Sequence, residues 1–355
     1  MIKIGIIGCG KQADAHAAQI QKISDCEIVG VCDREVLMAK QLYDRFNVKQ
    51  YFDNVKELLE VTKPDIVHII TPPHSHLELG KLCLEAGCSI FFEKPFTLNT
   101  GEAKTLINLA NEKNLKLTVG HNNQFNHANI RMRELIKNGF LGGNPIHIES
   151  IWGYDLRDQR FAKALLGDKT HWVRALPGKL LHNIISHGIS KIAEFLTNDC
   201  LKVISYGYSS SLLKSINEPD IIDELRVIIY DDCTTAYFTF SSQISPMIRQ
   251  LRVYGPENSL IVDDMHQTLI KICRTDYKSY LNRFIPPIIY AKQYFANFRN
   301  NSKQFIKRNF HFDSGRKYLI ESFYRSVLKD TPLPISYEEI LITSRIMDSI
   351  FEQIK

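Results

Sequence analysis

A short acidic–basic motif is the part of the chain most suited to chemistry. Glu93-Lys94-Pro95 comes directly after the apolar run Ser89–Phe92, which has the length and composition of a buried strand. A lysine at the end of such a strand can polarise or protonate a substrate oxygen, and burial together with the adjacent carboxylate tunes its charge. The residue before a proline is held extended, so Lys94 projects in a defined direction. The alternative for this dipeptide is a solvated pair of opposite charges on a loop.

A glycine pattern at the N-terminus supplies the second chemical signal. Gly8-x-Gly10-x-x-Ala13 follows the isoleucine-rich run Lys3–Ile7 and precedes a helical pattern. Gly8 permits a tight turn, Gly10 lets a pyrophosphate approach the backbone, and Ala13 lets the helix pack close to the strand. The N-terminus of that helix offers free N–H groups and a dipole that favours negative charge. Alone the pattern is weak, because glycine turns between strand and helix also occur without ligands.

Asp33 supplies the other half of a dinucleotide signal. It ends the apolar run Glu27–Cys32, about 20 residues after the glycines, where a carboxylate accepts hydrogen bonds from the adenosine ribose. The two features together predict dinucleotide binding. A carboxylate repels a 2′-phosphate and favours NAD, whereas Arg34 can receive that phosphate. We expect NAD, with NADP as the alternative.

The elements that must position these groups alternate along the first 122 residues. Short, almost wholly apolar runs predict strands at Lys3–Ile7, Glu27–Cys32, Asp65–Ile70, Ser89–Phe92 and Lys116–Val119. Helical periodicity separates these runs, which predicts a parallel sheet covered by helices on both faces. Ligands bind such sheets outside the carboxyl ends of the strands. The cofactor contacts predicted on this basis are Gly8, Gly10, Lys11, Gln12, Ala13, Asp33, Arg34, Thr71, Pro72, His76, Glu93, Lys94, Pro95 and Asn122.

The pattern changes after residue 122. Successive strands are predicted at Ile146–Trp152, Arg226–Tyr230, Thr234–Ser241, Gln250–Tyr254 and Ser259–Val262, which indicates an antiparallel or mixed sheet. A helix is predicted over His182–Leu196, and two more close the chain at Gly315–Lys329 and Ser336–Ile354. We therefore expect a Rossmann domain over residues 1–122 and a substrate-binding and oligomerisation domain of the α+β class over residues 123–355.

Three segments and the domain order resemble the glucose-fructose oxidoreductase/inositol dehydrogenase family (Gfo/Idh/MocA). The segments read GIIGCGKQADAH, TPPHSH and AGCSIFFEKPFTLN, and the resemblance covers nearly the whole chain. It implies a second domain with an open, largely antiparallel sheet. It also implies an oxidoreductase that transfers a hydride between C4 of the nicotinamide and a carbon of a sugar, cyclitol or nucleotide sugar. Lys94 would lie near the reacting hydroxyl, a cis peptide bond would precede Pro95, and the protein would form a homodimer or homotetramer.

The family's second catalytic motif is Asp-x-x-x-His on a helix. In the matching stretch LPGKLLHNIISHG, His187 falls on the histidine and Asn183 on the aspartate, and positions four apart share one helix face. A histidine suits general acid–base work because it ordinarily titrates near neutrality, although it can equally pack quietly inside a domain. Asn183 departs from the family, as does Ile185 in place of a glycine; an amide binds a sugar hydroxyl but accepts no proton. The substrate contacts that we expect are Tyr154, Arg157, His171, Trp172, Asn183 and His187.

Two other kinds of function remain open at this point. The same Lys94 and His187 would serve redox-neutral catalysis, in which transient oxidation by a retained cofactor enables elimination, epimerisation or glycoside cleavage. A non-catalytic subunit that keeps the cofactor fold is the third class. Net conversion of added NAD separates the first two classes, and cofactor binding without turnover marks the third.

The formal net charge of +5 is concentrated in one segment. Residues 277–308 contain no acidic residue and interleave aromatic residues with the basic residues Lys278, Arg283, Lys292, Arg299, Lys303, Lys307 and Arg308. These seven exceed the net charge, so general nucleic-acid binding is not indicated. One interpretation is an amphipathic element that docks on an anionic membrane or a partner protein. The others are a cover over a negatively charged substrate and a helix that packs its aromatic side on the domain, with lysines in water.

The eight cysteines are scattered, and none forms a CxxC pair. Buried, reduced thiols in a cytoplasmic protein are the plain interpretation, with no metal site. The N-terminus has too little basic charge for a signal peptide, and no apolar run reaches the roughly 18 residues that span a bilayer.

Overall fold

The computed structural model describes residues 1–157, 166, 168–197, 200–275, 277–310 and 314–354. The chain divides into two compact units, one formed by residues 1–122 with 316–345 and the other by residues 123–315 with 346–355. Residues 316–345 pack with the first unit, and not with the second domain to which the sequence pattern assigns them. The physical reason is apolar burial, because Phe323 is fully buried and its ring lies 6.1 Å from that of Phe91.

Most of the secondary structure is regular. The strands are β1 Ile2–Ile7, β2 Cys26–Cys32, β3 Tyr51–Phe52, β4 Ile66–Ile69, β5 Ser89–Phe92, β6 Leu117–Val119, β7 His147–Gly153, β8 Lys202–Tyr208, β9 Glu224–Tyr230, β10 Thr235–Ser241, β11 Arg249–Tyr254, β12 Ser259–Asp263 and β13 Thr268–Ile272. The helices are α1 Lys11–Ile20, α2 Val36–Phe46, α3 Val55–Thr62, α4 His76–Glu85, α5 Thr100–Glu112, α6 His127–Lys137, α7 Lys179–Ile184, α8 Ser186–Ala193, α9 Ser211–Ser215, α10 Ile285–Ile306, α11 Ser314–Lys329 and α12 Tyr337–Gln353.

The first unit is built on a parallel sheet of six strands. Their order, β3-β2-β1-β4-β5-β6, is that of a dinucleotide-binding Rossmann domain. Strands β4 and β5 are buried at every position, as strands covered on both faces must be. The predicted fold class is confirmed here. Strand β3 and helix α3 were not predicted from the sequence.

The second unit contains a seven-stranded sheet in the order β13-β12-β11-β7-β10-β9-β8. Only β7 and β10 pair in parallel, and the other described pairs are antiparallel. This confirms the open, largely antiparallel sheet. The edge strands β8 and β13 were not predicted. In the middle of the outer face of β8, β9 and β10, the exposed side chains of Ile204, Ile228 and Tyr237 lie side by side in register.

The helix predicted over His182–Leu196 was wrong in its bounds. The chain forms α7 and α8 instead, which meet at Ile185. The interruption is slight, because Ile185 keeps right-handed helical angles and its carbonyl accepts from the N–H of Ile189 at 3.0 Å. Ser336 caps the last helix through a bond from the N–H of Glu339 to its hydroxyl oxygen, as its sequence suggests.

The expectation of buried cysteines was wrong for Cys200, Cys233 and Cys273, which are exposed because they lie at or beyond the ends of strands and helices. Of the three interpretations of residues 277–308, an aromatic side packed on the domain does not fit, because Phe295 and Phe298 are exposed and Asn297 is buried. Among the described residues, no helix combines the length and the apolar character that crossing a bilayer requires.

Candidate active site

The two glycines of the turn after β1 have different surroundings. Gly8 has φ +93°, and a Cβ there would lie 2.9 Å from the carbonyl carbon of Ile70 and from Cγ2 of Thr71. Gly10 precedes α1, and a Cβ built on it meets no atom within 4 Å. Among the described residues, no side chain caps α1. The turn therefore leaves open space in front of an uncapped helix N-terminus, which is what a pyrophosphate requires.

Asp33 is tied directly to this turn. Its Oδ2 accepts the backbone N–H of Cys9 at 2.7 Å, and its Oδ1 accepts that of Glu35 at 2.9 Å. Cys9 lies between the two glycines, so the carboxylate is fixed beside them. Each carboxylate oxygen retains a further lone pair for a ribose hydroxyl. Arg34 beside it is exposed.

The loop after β4 is braced by a buried histidine. The ring of His76 places Nε2 2.8 Å from the carbonyl oxygen of Thr71 and Nδ1 2.6 Å from that of Phe96. Burial lowers the pKa of His76, although both carbonyls act in the opposite direction. A neutral imidazole donates to one of the two carbonyls only. His76 thus joins the Thr71-Pro72 loop to the loop after β5. Both of its ring nitrogens lie against backbone carbonyl oxygens.

Glu93 is the most heavily engaged side chain of the predicted site. Its Oε1 lies 2.8 Å from Nε2 of His16 and 3.4 Å from a guanidinium nitrogen of Arg316, and its Oε2 accepts the backbone N–H of Lys94 at 3.0 Å. Burial alone would raise the pKa of Glu93. The hydrogen bond from His16 and the charges of Arg316, His16 and Lys94 outweigh burial and lower that pKa far below its usual range.

A chain of buried hydrogen bonds runs from Glu93 into the core. Nδ1 of His16 lies 2.8 Å from Nδ1 of His68, whose Nε2 lies 2.7 Å from the hydroxyl of Tyr324. Burial lowers the pKa of His68 and raises that of Tyr324, so the imidazole is neutral and the phenol keeps its proton. Nε2–H of His16 donates to Glu93 whether His16 is neutral or protonated. The donors of the other two bonds depend on whether Nδ1 of His16 also carries a proton.

Arg316 connects this chain to the glycine turn. It donates to Oε1 of Gln12 at 3.0 Å as well as to Glu93, and its side chain is almost fully buried. Gln12 lies in the first turn of α1, and His16 lies one turn further along the same helix face. The guanidinium thus fixes the start of α1 relative to the end of β5.

Lys94 lies at the carboxyl end of β5 and is part-buried. Burial lowers the pKa of its ammonium group, and the neighbouring Glu93 partly offsets that effect. The peptide bond between Lys94 and Pro95 is cis, which confirms the implication of the family resemblance. Buried His121, at the end of β6, has its pKa lowered to about 4 by burial and by the charge of Lys94, so its imidazole is neutral at pH 7. Asn122 follows it and is also buried.

In the second unit, Asn183 and His187 are singled out by exposure. Across residues 180–193 every other position is buried, and only these two are part-exposed. They lie one helical turn apart on either side of Ile185. A buried run that opens at two positions on one face is what a pair of substrate-facing groups requires.

The ring of His187 stacks on Trp152 of β7, with the ring centroids 5.7 Å apart and an interplanar angle of 27°. Trp152 is buried and also lies under the guanidinium of Arg249, 4.6 Å from the ring centroid. Lys191, one turn beyond His187, forms a buried ion pair with Asp264. The ring of Trp152, with Arg249 and Lys191 next to it, therefore holds the imidazole of His187 in one orientation.

The other expected substrate contacts are less uniform. Arg157 is exposed, and its guanidinium binds both carboxylate oxygens of Asp155 at 2.8 Å. Nδ1 of His171 accepts the N–H of Val173 at 3.4 Å, which caps a short 3₁₀ helix, and the adjacent Trp172 is part-exposed. Tyr154 directly follows β7 and is part-exposed. Each of these residues lies in the second unit.

Four residues of the first unit were missed by the sequence analysis: His16, His68, Arg316 and Tyr324. Signals for two of them exist. His68 is a polar residue inside the otherwise apolar strand Ile66–Ile69, and His16 repeats the position of Gln12 one turn along α1. Nothing local marks Arg316, which lies 223 positions from Glu93.

The donor set of the first unit fits NAD. Gly10 leaves room in front of an uncapped helix, and Asp33 lies beside it with lone pairs for a ribose. These residues fit a pyrophosphate at the turn and an adenosine ribose beside Asp33. Lys94 and Glu93 at the carboxyl end of β5 lie in the same unit, in line with ligand binding at strand ends.

Comparison with known proteins gives a consistent result. Residues 2–121 match a family model described as an oxidoreductase family with an NAD-binding Rossmann fold. D-glucoside 3-dehydrogenase of Escherichia coli is 30% identical over 142 residues, which are 40% of this chain and 40% of that protein. UDP-N-acetylglucosamine 3-dehydrogenase of Acidithiobacillus ferrooxidans is 34% identical over 120 residues, or 34% of this chain and 37% of that one. The match therefore spans less than half the length of either relative.

Likeness in fold extends over the whole chain. The structure of the WlbA dehydrogenase from Bordetella pertussis, in complex with NADH and UDP-GlcNAcA, superposes with a TM-score of 0.77. It covers 99% of this chain and 95% of that one at 15% identity, which shows a common fold.

Proposed function

We propose that the chain is an oxidoreductase of the Gfo/Idh/MocA family, since residues 2–121 match the NAD-binding domain of that family. In this proposal it transfers a hydride between nicotinamide and a hydroxyl-bearing carbon of a sugar, cyclitol or nucleotide sugar. The observation that carries the proposal is the fixed position of Lys94. It follows β5 beside an ionised Glu93, in the same unit as the glycine turn and Asp33. The relatives named as sugar and nucleotide-sugar 3-dehydrogenases support this substrate class.

We propose the following division of labour. NAD, when bound, supplies the hydride acceptor at C4 of its nicotinamide. Lys94 donates a hydrogen bond to the oxygen of the reacting carbon and polarises it. The hydroxyl proton passes to His187, whose orientation on Trp152 is fixed, and Asn183 hydrogen-bonds a neighbouring hydroxyl. Hydride and proton leave the same C–OH group, which becomes a carbonyl.

Further contacts complete the proposal. Tyr154, His171 and Trp172 are the proposed sugar contacts. Arg157 binds an anionic group such as the diphosphate of a nucleotide sugar in exchange for Asp155. Asp33 favours NAD, and Arg34 would bind the 2′-phosphate if the protein used NADP.

We also propose a homodimer or homotetramer in the cytoplasm. The exposed apolar row on β8, β9 and β10 supports the assembly, because Ile204, Ile228 and Tyr237 present a continuous surface. Unpaired cysteines support a reducing compartment.

The test is a panel of free, phosphorylated and nucleotide-linked sugars and cyclitols with added NAD or NADP, followed by nicotinamide absorbance in the near ultraviolet. The proposal expects net reduction with one class of substrate. Product formation without net change of the nicotinamide would replace the dehydrogenase by a redox-neutral enzyme. Cofactor binding with no product from any sugar would indicate a non-catalytic protein.

A further inference from the structure

Helix α10 is attached to the second unit by its polar side. The side-chain amide of Gln293 accepts the backbone N–H of Lys271 at 2.7 Å and donates to the carbonyl of the same residue at 2.9 Å. Asn297 does the same with Leu269, at 3.1 and 2.9 Å. These two amides take the place of a neighbouring strand along β13, the edge of the seven-stranded sheet.

The same side of the helix makes two more polar contacts. Arg131 of α6 donates to Oδ1 of Asn297 at 2.8 Å, and Asn301 donates to the carbonyl of His266 at 2.9 Å. Gln293, Asn297 and Asn301 are spaced by four residues, so they form one stripe along the helix. The inward face of α10 is thus amide-lined and hydrogen-bonded, the reverse of an ordinary surface helix.

The outward face is apolar. Ile288, Phe295, Phe298 and Phe305 are spaced by seven, three and seven residues, which places them on one stripe. Their exposed fractions are 57, 63, 63 and 71%. Phe284, just before the helix, is 66% exposed. A continuous row of large apolar side chains on the surface marks a contact site.

The basic residues near the apolar stripe indicate which kind of partner could cover the outward face of α10. The surface of residues 277–308 carries seven basic residues and no acidic one. Lys292, Arg299 and Lys303 lie beside the apolar stripe, within about a third of a turn of it. Two copies of this chain that met through the same face would bring these cations together, which disfavours a symmetric dimer here.

We propose that α10 is a membrane-surface anchor that lies in the headgroup region of a bilayer containing anionic phospholipids. Its 22 residues give a helix about 33 Å long, whose aromatic stripe enters the interface while the adjacent lysines and arginines bind lipid phosphates. Aromatic rings and snorkelling basic side chains are the residues that such an interface prefers. The anchor is independent of the reaction proposed above and would hold the enzyme at a membrane.

The experiment is co-sedimentation of the full chain with vesicles of phosphatidylcholine, with and without phosphatidylserine. The wild-type protein should sediment with anionic vesicles and not with neutral ones, and high salt should weaken the binding. Phe295→Ser with Phe298→Ser, and separately Lys292→Glu with Arg299→Glu and Lys303→Glu, should weaken it by roughly tenfold or more.

Matched controls lie on the first unit. Leu37→Ser with Leu328→Ser removes two exposed leucines, and Lys40→Glu with Lys81→Glu and Lys104→Glu makes the same change in net charge at exposed lysines. Both controls should bind vesicles like the wild type. All these positions are exposed, so the variants should fold, which circular dichroism and NAD binding verify.

Three results would overturn the anchor. The first is failure of the wild type to bind anionic vesicles at low salt. The second is equal loss in the control and α10 variants, which would mean that net charge alone governs binding. The third is a change of oligomeric mass in the Phe295/Phe298 variant without vesicle binding by the wild type, which would make the face a protein interface.

Discussion

Nε2 of His16 lies 2.8 Å from Oε1 of Glu93, and this bond decides how the end of β5 is held. Glu93 accepts from the backbone of Lys94 with its other oxygen, so the imidazole on α1 acts on the lysine through a single carboxylate. Because the carboxylate stays ionised, it also steadies the ammonium charge of Lys94 against burial. The backbone of the proposed catalytic lysine is thus positioned by Glu93, which His16 and Arg316 hold in turn.

Removal of His16 tests this support. In His16→Ala, Glu93 loses its shortest side-chain hydrogen bond and Nδ1 of buried His68 loses its partner. The free energy of unfolding should fall by about 1–3 kcal/mol, measured by denaturant titration. If His16 has only a structural role, the variant loses stability but keeps the pH profile of turnover. If His16 also positions Lys94 through Glu93, that pH profile shifts as well. Exposed His74→Ala is the matched control and should change neither; unaltered stability in His16→Ala would refute the buried chain.

His121 should make the protein sensitive to acid. Its pKa is about 4 in the folded state against an ordinary 6.5, so the unfolded chain binds a proton that the folded chain refuses. The stability it contributes is complete above pH 6.5 and is lost as the pH falls toward 4, at about 1.4 kcal/mol per pH unit. In His121→Asn the loss of unfolding free energy over this window should be smaller by that slope. Equal slopes for variant and wild type would contradict the prediction.

Arg316 should be needed for cofactor affinity although it lies near the other end of the chain. Its guanidinium joins Gln12, at the start of α1, to Glu93. Arg316→Met should weaken NAD binding roughly tenfold, measured by titration calorimetry, because the loss of a charge-assisted hydrogen bond releases the helix start. Arg325→Met, at an exposed position of the same helix, should bind NAD normally. Wild-type affinity in Arg316→Met would show that the bridge is incidental.

Asp33 should govern the choice between the two nicotinamide cofactors. In Asp33→Ala the ribose loses its acceptor and the repulsion of a 2′-phosphate disappears, so the preference for NAD over NADP should fall by roughly tenfold or more. The ratio of dissociation constants for the two cofactors measures it. Asp53→Ala, exposed after the neighbouring strand β3, is the control. A ratio that stays constant in Asp33→Ala would remove Asp33 from the ribose site.

The sequence predicts what is local. The glycine turn, Asp33 and the strands that end at the site are set by short patterns of apolar and special residues, and the structure has them where expected. The buried series of hydrogen bonds could not be predicted because its members are distant in sequence: His16 and His68 are 52 positions apart. The periodicity of a helix or strand predicts its buried face, but not which polar residue of another element its own polar residues will contact.

Helix α10 shows a second kind of limit. Sequence reasoning assumes that the apolar face of a helix is the buried one. Here the edge of β13 offers unpaired N–H and C=O groups, and Gln293 and Asn297 satisfy them at close range. The amides therefore turn inward and the phenylalanines outward, an arrangement that depends on the sheet edge and cannot be read from the helix itself.

The most direct test of the central claim is the rate of NAD reduction by Lys94→Ala, measured at saturating NAD with the substrate that the wild type oxidises. The account predicts a fall of about 10²–10⁴-fold in turnover, with the NAD dissociation constant changed only a few-fold. Lys104→Ala, at an exposed position of α5, should turn over normally. Turnover near the wild-type rate in Lys94→Ala would contradict the assignment of Lys94 to the reacting oxygen, and with it the proposed active site.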